Sequence, residues 1–326
     1  MYFVDNHNVT DPRLNLALEE YLLRQATVQE PLLLFYINEP AVIIGRHQNG
    51  LEEIDPDYVE ENGIHLVRRL SGGGAVYHDL GNLNFSFVTP DREKLHDFSA
   101  FVQPVVAVLQ ALGVPAALAG KSDIVVDGKK VSGNAQFSSG GRMFSHGTLL
   151  FDTNLAHMLA ALNPRQTAIE SRAVQSIRQF VTNIREWLPE GIDIGTLRQH
   201  LLNGLFDGPP REYKLDAAAW AAVRRLREER YANWAWNVGR APAYNVQKKA
   251  QYPFGVVDVR LQVNRGHIEE VTVFGSFAAE ADLAPLVAAL TGVRHEPAAL
   301  REALSALSVG DFIPGMDSAA LVELLY

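Results

Sequence analysis

Behind Asp11-Pro12, the apolar positions Leu14, Leu18 and Leu22 recur at helical spacing with Ala17 and Tyr21 beside them. This predicts an amphipathic first helix, capped by Asp11, with proline at its first position. Leu32–Ile37 and Ala41–Ile44 are apolar and rich in β-formers, and Asn38-Glu39-Pro40 separates them; together they predict two antiparallel strands joined by a short turn. Further strands are expected at Leu83–Val88, Asp123–Val126, Lys130–Ser132 and Thr148–Phe151, and a helix over Phe98–Leu112 that ends at Gly113. Strands and helices do not alternate as they do in a doubly wound sheet. The pattern instead predicts an α+β domain built on a mainly antiparallel sheet flanked by helices.

From Leu155 to Trp236 the pattern is mostly helical, with Asp216 positioned to cap a helix over Leu215–Ala232. Asn237–Ala250 contains Gly239, Pro242 and Gln247-Lys248-Lys249 and reads as a linker. Beyond it, Val257, Val259, Leu261 and Val263 alternate with polar residues, Asn264-Arg265-Gly266 turns, and Ile268–Phe274 returns. Helices over Ala281–Leu290 and Pro297–Leu307 follow. The division expected is therefore a large domain over residues 1–246 and a small α+β domain over residues 247–326.

A chain of 326 residues exceeds the size at which one core stops growing, which agrees with two domains. The net charge of -9 argues against broad nucleic-acid binding. Met1-Tyr2-Phe3-Val4-Asp5 lacks a basic, then apolar, leader, and no apolar run approaches a membrane span, so a cytoplasmic protein is expected. The chain contains no cysteine, which excludes disulfides, thiolate metal sites and any route through a cysteine thioester.

Two segments concentrate chemistry. Arg68-Arg69-Leu70-Ser71-Gly72-Gly73-Gly74-Ala75-Val76-Tyr77-His78-Asp79 combines three glycines, whose backbone can approach a ligand closely, with two arginines able to pair bidentately with phosphate or carboxylate. It lacks the Gly-Lys-Ser/Thr ending of a P-loop and the spacing of a dinucleotide fingerprint. In Lys121–Gln136, Asp127-Gly128 suits a two-residue hairpin turn that returns Lys130 beside Gly133. A lysine fixed there can neutralise a phosphate and an acyl oxygen together. His146 and His78, taken alone, read as hydrogen-bonded structural residues with no proton-transfer role.

Asn15-Leu16-Ala17-Leu18-Glu19-Glu20, Val42–Asn49, the Arg68–Val76 segment with His78-Asp79-Leu80-Gly81-Asn82, Lys130–Ala135 and His146–Leu150 occur in order over about the first 155 residues. In this the chain resembles the LplA-type lipoate-protein ligases. The resemblance implies the biotin/lipoate ligase fold, related to class II aminoacyl-tRNA synthetases, with an accessory C-terminal domain that moves when the adenylate forms. It also implies the reaction: lipoate and ATP, with Mg2+ carried by the nucleotide, give lipoyl-AMP and pyrophosphate. The lipoyl group then passes to a lysine of an apo lipoyl domain, on an E2 subunit of a 2-oxoacid dehydrogenase or on the glycine-cleavage H protein.

By position, the resemblance makes Lys130 the catalytic residue. Arg69, Gly74, Ala75, Val76, Tyr77 and Lys130 would line the nucleotide site, with Asp123 nearby, where Ser122 replaces the family's usual asparagine. Arg69, Ser71, Gly72, Gly73, His78, Lys130, Gly133 and His146 would line the lipoate site. Octanoyl and lipoyl transferases of related fold use a cysteine acyl-enzyme, which this chain cannot form. A non-catalytic lipoate-binding protein would not need Arg69, the glycine run and Lys130 together.

Overall fold

The computed structural model describes residues 1–48, 50, 53–90, 92–162, 180–238, 246–277 and 281–326. The elements in order are β1 (Tyr2–Val4), α1 (Pro12–Gln25), β2 (Leu32–Ile37), β3 (Ala41–Ile44), α2 (Pro56–Glu61), β4 (His65–Arg68), β5 (Val76–His78), β6 (Asn82–Thr89), α3 (Ser99–Ala111), β7 (Ala116–Ala119), β8 (Asp123–Val126), β9 (Lys129–Ser132), β10 (Asn134–Ser139) and β11 (Arg142–Leu150). They continue with α4 (Leu155–Ala161), α5 (Ile194–Leu205), α6 (Ala217–Leu226), α7 (Trp234–Asn237), β12 (Val246–Tyr252), β13 (Gly255–Asn264), β14 (His267–Gly275), α8 (Ala284–Leu290), α9 (Pro297–Leu304), α10 (Val309–Phe312) and α11 (Ser318–Leu325). Among the described residues no helix is long and apolar enough to cross a membrane.

The chain divides into two compact units that interleave in sequence. One comprises Met1–Ile43, Leu51–Val67 and Val76–Asn233; the other comprises Ile44–Gly50, Arg68–Ala75 and Trp234–Tyr326. In the first, a five-stranded sheet has the order β1-β2-β6-β11-β10, antiparallel except for the β1–β2 pair. Phe35, Phe85, Phe87, Val102, Val105 and Leu109 build its core. The small sheet β7-β8-β9 adds Ile124, Val126 and Val131.

α1 begins as its sequence dictates, with Pro12 in the first turn and the Asp11 carboxylate accepting from Arg13 N–H at 2.9 Å. Asp11 also pairs with the Arg13 guanidinium at 2.9 Å and with that of Arg227 at 2.7 Å. Burial alone would raise its pKa, but the hydrogen bonds from Arg13 and Arg227 outweigh burial and hold it below its ordinary value of 3.8. A depressed folded pKa stabilises the fold above the unfolded value, and that stabilisation is lost as pH falls through the folded one. Asp11→Ala is therefore expected to cost about 1–2 kcal/mol at neutral pH through the lost cap and pairs. In urea titrations the gap between variant and parent should shrink below the ordinary carboxylate pKa.

β2 and β3 form where their apolar runs lie, but not as a hairpin. β2 pairs with β1 and β6, whereas β3 joins the separate sheet β4-β3-β5. The intervening turn is anchored elsewhere: Glu39 N–H donates to Thr10 O at 2.9 Å, and Asn38 Oδ1 accepts from Asn15 at 2.9 Å. The strand expected over Thr148–Phe151 begins earlier, at Arg142, so His146-Gly147 lies within it. Of the region read as mostly helical, residues 163–179 lie outside the described residues; α4, α5 and α6 are described, and Asp216 caps α6 through Ala219 N–H at 2.7 Å.

The second unit packs β12-β13-β14 against α8, α9 and α11 through Val257, Val259, Leu261, Leu286, Leu300 and Leu321. Arg265 and Gly266 both have positive φ, 49° and 78°, as a tight β13–β14 hairpin requires. Part of the expected linker is strand: Gln247-Lys248-Lys249 lies in β12 and pairs with Arg260, Val259 and Asp258. An edge strand whose outer side chains are polar carries the same composition as a linker. Gly239 and Pro242 lie outside the described residues.

Candidate functional site

Lys130 stands on β9 just after a two-residue turn in which Asp127 and Gly128 take φ of 49° and 74°. Its main chain is held twice: its N–H donates to Phe180 O at 2.7 Å, and its carbonyl accepts from Thr182 N–H at 3.1 Å. The side chain lies over Gly133, where an added β-carbon would sit 3.3 Å from Lys130 Cε and 3.4 Å from Nζ. Nζ pairs with Asp123 Oδ2 at 2.9 Å, both groups remaining partly exposed. Lys130, Asp123 and Gly133, grouped by sequence, thus meet. Lys129 lies elsewhere, beside a polar cleft of about 400 Å³ lined by Asn154, Thr182, Asn183 and Glu186.

His146 is buried in mid-strand. Its Nδ1 is 3.0 Å from both carboxylate oxygens of Glu19 on α1, which requires a proton on that nitrogen, and its ring lies 4.6 Å from that of Phe144. Gly147 follows because a β-carbon there would fall 1.9 Å from Asn134 Oδ1 and 2.5 Å from the Phe85 ring. His78 ends a buried amide chain. Asn6 donates to Asn15 at 3.0 Å, Asn15 to Asn38 at 2.9 Å, and Asn38 Nδ2 meets His78 Nδ1 at 2.9 Å. Because Asn38 Oδ1 already accepts from Asn15, its amide nitrogen faces the imidazole, and His78 Nδ1 is the acceptor. Val76 and Tyr77 lie on β5, where Tyr77 is buried with its phenol pushed up to about 12 by desolvation, then by Asp79 and Tyr58. The phenol therefore stays protonated at any working pH.

The remaining sequence-predicted residues, Arg69, Ser71, Gly72, Gly73, Gly74 and Ala75, belong to the second compact unit. Arg69 is wrapped by its own loop: Nε donates to Ser71 Oγ at 3.0 Å, and Nη2 to Gly72 O at 2.6 Å and Gly74 O at 2.8 Å. Gly73, at φ 88°, donates its N–H to Phe277 O at 3.3 Å. The neighbouring loop joins it through Arg46 N–H to Ser71 O at 2.9 Å and Gly275 N–H to His47 O at 2.8 Å, while the His47 and Phe277 rings stack 5.6 Å apart. Of the two arginines able to pair with an anion, Arg68 instead turns into the protein, where main-chain carbonyls accept from its guanidinium.

Residues 11–206 match the family model described as the lipoyl protein ligase A/B catalytic domain, and residues 241–325 match that of the bacterial lipoate protein ligase C-terminus. The chain belongs to the lipoate-protein ligases. It is 45% identical to lipoate-protein ligase LplJ of Bacillus subtilis across the full length of both chains. Its structure is similar to that of the bipartite lipoate protein ligase of Thermoplasma acidophilum (TM-score 0.66, 30% identity, 75% of this chain and 98% of that one). It is also similar to an ATP-bound lipoate-protein ligase A (TM-score 0.60, 31% identity, 71% and 95%). The expected lipoate-protein ligase activity and α+β fold are borne out. Sequence reasoning assigned no role to Glu19 in this ligase, although it lies within the Asn15–Glu20 motif. A carboxylate at helical spacing looks solvent-facing until its partner 127 positions away is known.

Proposed function

We propose that the Lys130 hairpin is where lipoate is activated. The lipoate carboxylate oxygen forms a bond to the α-phosphorus of ATP, the α–β phosphoanhydride breaks, and pyrophosphate leaves. The ε-amine of an acceptor lysine then bonds to the acyl carbon, the carbonyl–oxygen bond to AMP breaks, and the amine's proton passes to solvent. The observation that carries this reading is Lys130 itself: a main chain held twice by the Phe180–Thr182 segment, and an ammonium paired with Asp123 and lying over Gly133. Such a preorganised cation offsets the charge that grows on the phosphate and acyl oxygens without reorganising during the reaction.

In this reading Arg69 and the Gly74–Tyr77 main chain receive the nucleotide, and Ser71, Gly72, Gly73 and Gly133 bound the acyl group. In the same reading His146, paired with Glu19 beside Phe144, and His78, held by Asn38, border the lipoate. Among the described residues no group of three His, Asp or Glu side chains converges to hold a metal. In this reading Mg2+ arrives on the triphosphate. In this reading the acceptors are apo lipoyl domains of E2 subunits and the glycine-cleavage H protein, in the cytoplasm; the similar bipartite ligase of Thermoplasma acidophilum, which acts with an E2 lipoyl domain, supports the first of these.

The test is to mix the protein with lipoate, MgATP and an apo lipoyl domain, weigh the acceptor and measure AMP and pyrophosphate. One AMP and one pyrophosphate per lipoylated acceptor are expected. Acyl transfer from octanoyl carrier protein without ATP would overturn the reading.

A further inference from the structure

Of the adjacent arginines that open the glycine-rich loop, the second is engaged by the loop and the first by everything around it. Arg68 is only 1% exposed. Its Nη1 donates to the carbonyls of Gly45, Arg46 and Gln48 at 3.0, 3.1 and 2.6 Å, Nε to Trp236 O at 2.9 Å, and Nη2 to Asn237 O at 3.0 Å. Its main chain is taken by the same segment, since Arg68 N–H donates to Asn237 Oδ1 at 3.0 Å and Trp236 Nε1 donates to Arg68 O at 2.9 Å. All these residues belong to one compact unit.

A buried guanidinium is costly unless its donors are satisfied. Here peptide carbonyls from two separate segments do so, and those segments cannot shift without breaking several charge-assisted hydrogen bonds at once. The loop that Arg68 opens is bound to the same cage: Arg46 N–H holds Ser71 O, and Gly45 packs so closely that a β-carbon there would reach within 2.1 Å of Gly73 O.

We propose that Arg68 is a positioning residue. By caging the carbonyls of Gly45–Gln48 and of Trp236–Asn237, it holds the Arg69–Ala75 loop in the shape that receives the acyl-adenylate. This rests on the reading of that loop given above. The planar fork, not the charge, carries the effect, because an ammonium presents its donors from one point and cannot span two segments.

The experiment uses full-length Arg68→Lys and Asn237→Ala, compared with the parent by lipoate-dependent ATP–pyrophosphate exchange, with active sites titrated and folding followed by circular dichroism. Arg68→Lys is expected to raise KM for lipoate and ATP by about tenfold or more, while kcat per active site changes by less than about threefold, as misplacement of a binding loop demands. Asn237→Ala, which removes the side-chain acceptor of Arg68 N–H and leaves the guanidinium in place, should shift KM in the same direction by less, and the double variant should fall short of the product of the two. A merely structural role would lower the active fraction and leave KM where it was. Unchanged KM in Arg68→Lys overturns the proposal. Should the lysine variant not fold, an unchanged KM in Asn237→Ala overturns it equally. If the parent itself shows no lipoate-dependent exchange, the functional reading of the loop fails, a result distinct from either.

Discussion

Lys130→Ala is expected to slow lipoyl-adenylate formation on the order of a hundredfold or more, roughly 3 kcal/mol of transition-state stabilisation, whereas Lys129→Ala should leave it nearly intact. Successive residues of a strand point to opposite faces, and the structure separates the two ammonium groups accordingly. Lys130 lies over Gly133 against Asp123, while Lys129 lines the cleft with Glu186 and Asn154. The backbone hydrogen bonds of Lys130 to Phe180 and Thr182 survive truncation of the side chain, so the alanine variant should stay folded and the loss should be read in rate. Lipoate-dependent ATP–pyrophosphate exchange measures it directly. Equal losses in the two variants would show that the hairpin does not select one lysine.

The second large effect is expected from a methyl group. In Gly45→Ala the new β-carbon would lie 2.1 Å from the carbonyl oxygen of Gly73 and 3.1 Å from its carbon. Both are backbone atoms, so no side-chain rotation relieves the collision. The glycine-rich loop must move, and Gly73 has little freedom to do so, held at φ 88° with its N–H on Phe277 O. Displacement of a binding loop by about 1 Å can cost on the order of a hundredfold in kcat/KM, and that is the loss expected here for lipoate and ATP alike. The core built on Phe35, Phe85 and Leu109 belongs to the other compact unit, so the circular dichroism of the variant should resemble that of the parent. A variant with parental kinetics would mean that the loop's observed shape is not the one used in turnover.

What the sequence made legible is mostly local. Asp11-Pro12 caps α1 as expected; Asp127-Gly128 turns with two positive φ values; and the alternation of Val257, Val259 and Leu261 marks the apolar face of β13. Each follows from chemistry within a few residues. Partnership over long separations was not legible. The β2 and β3 runs look like a hairpin because nothing near Asn38 reveals that Asn15 and Thr10 hold the turn. Gln247-Lys248-Lys249 looks like a linker because polar residues on an edge strand and in a loop share a composition. At the candidate site, Lys130, Asp123 and Gly133 could be grouped from spacing alone, since one hairpin joins them. Spacing alone could not tell Arg68 from Arg69, which only the family resemblance separated, because two neighbouring arginines differ only in what folds around them.

The interleaving of the two compact units bears on how such a ligase can be inherited or recombined. Gly45–Gln48 and Arg68–Gly73 lie deep in the part of the chain matched by the catalytic family model, yet they share a compact unit with Trp236, Asn237 and Phe277. A crossover between two relatives near residue 234 would combine one parent's C-terminal region with the other's loops. Residues that touch are the ones whose substitutions fail to add. The heritable module is therefore discontinuous: a chimera that exchanges the C-terminal region must carry the residue 44–50 and 68–75 segments with it, and drift in any one of the three segments constrains the other two.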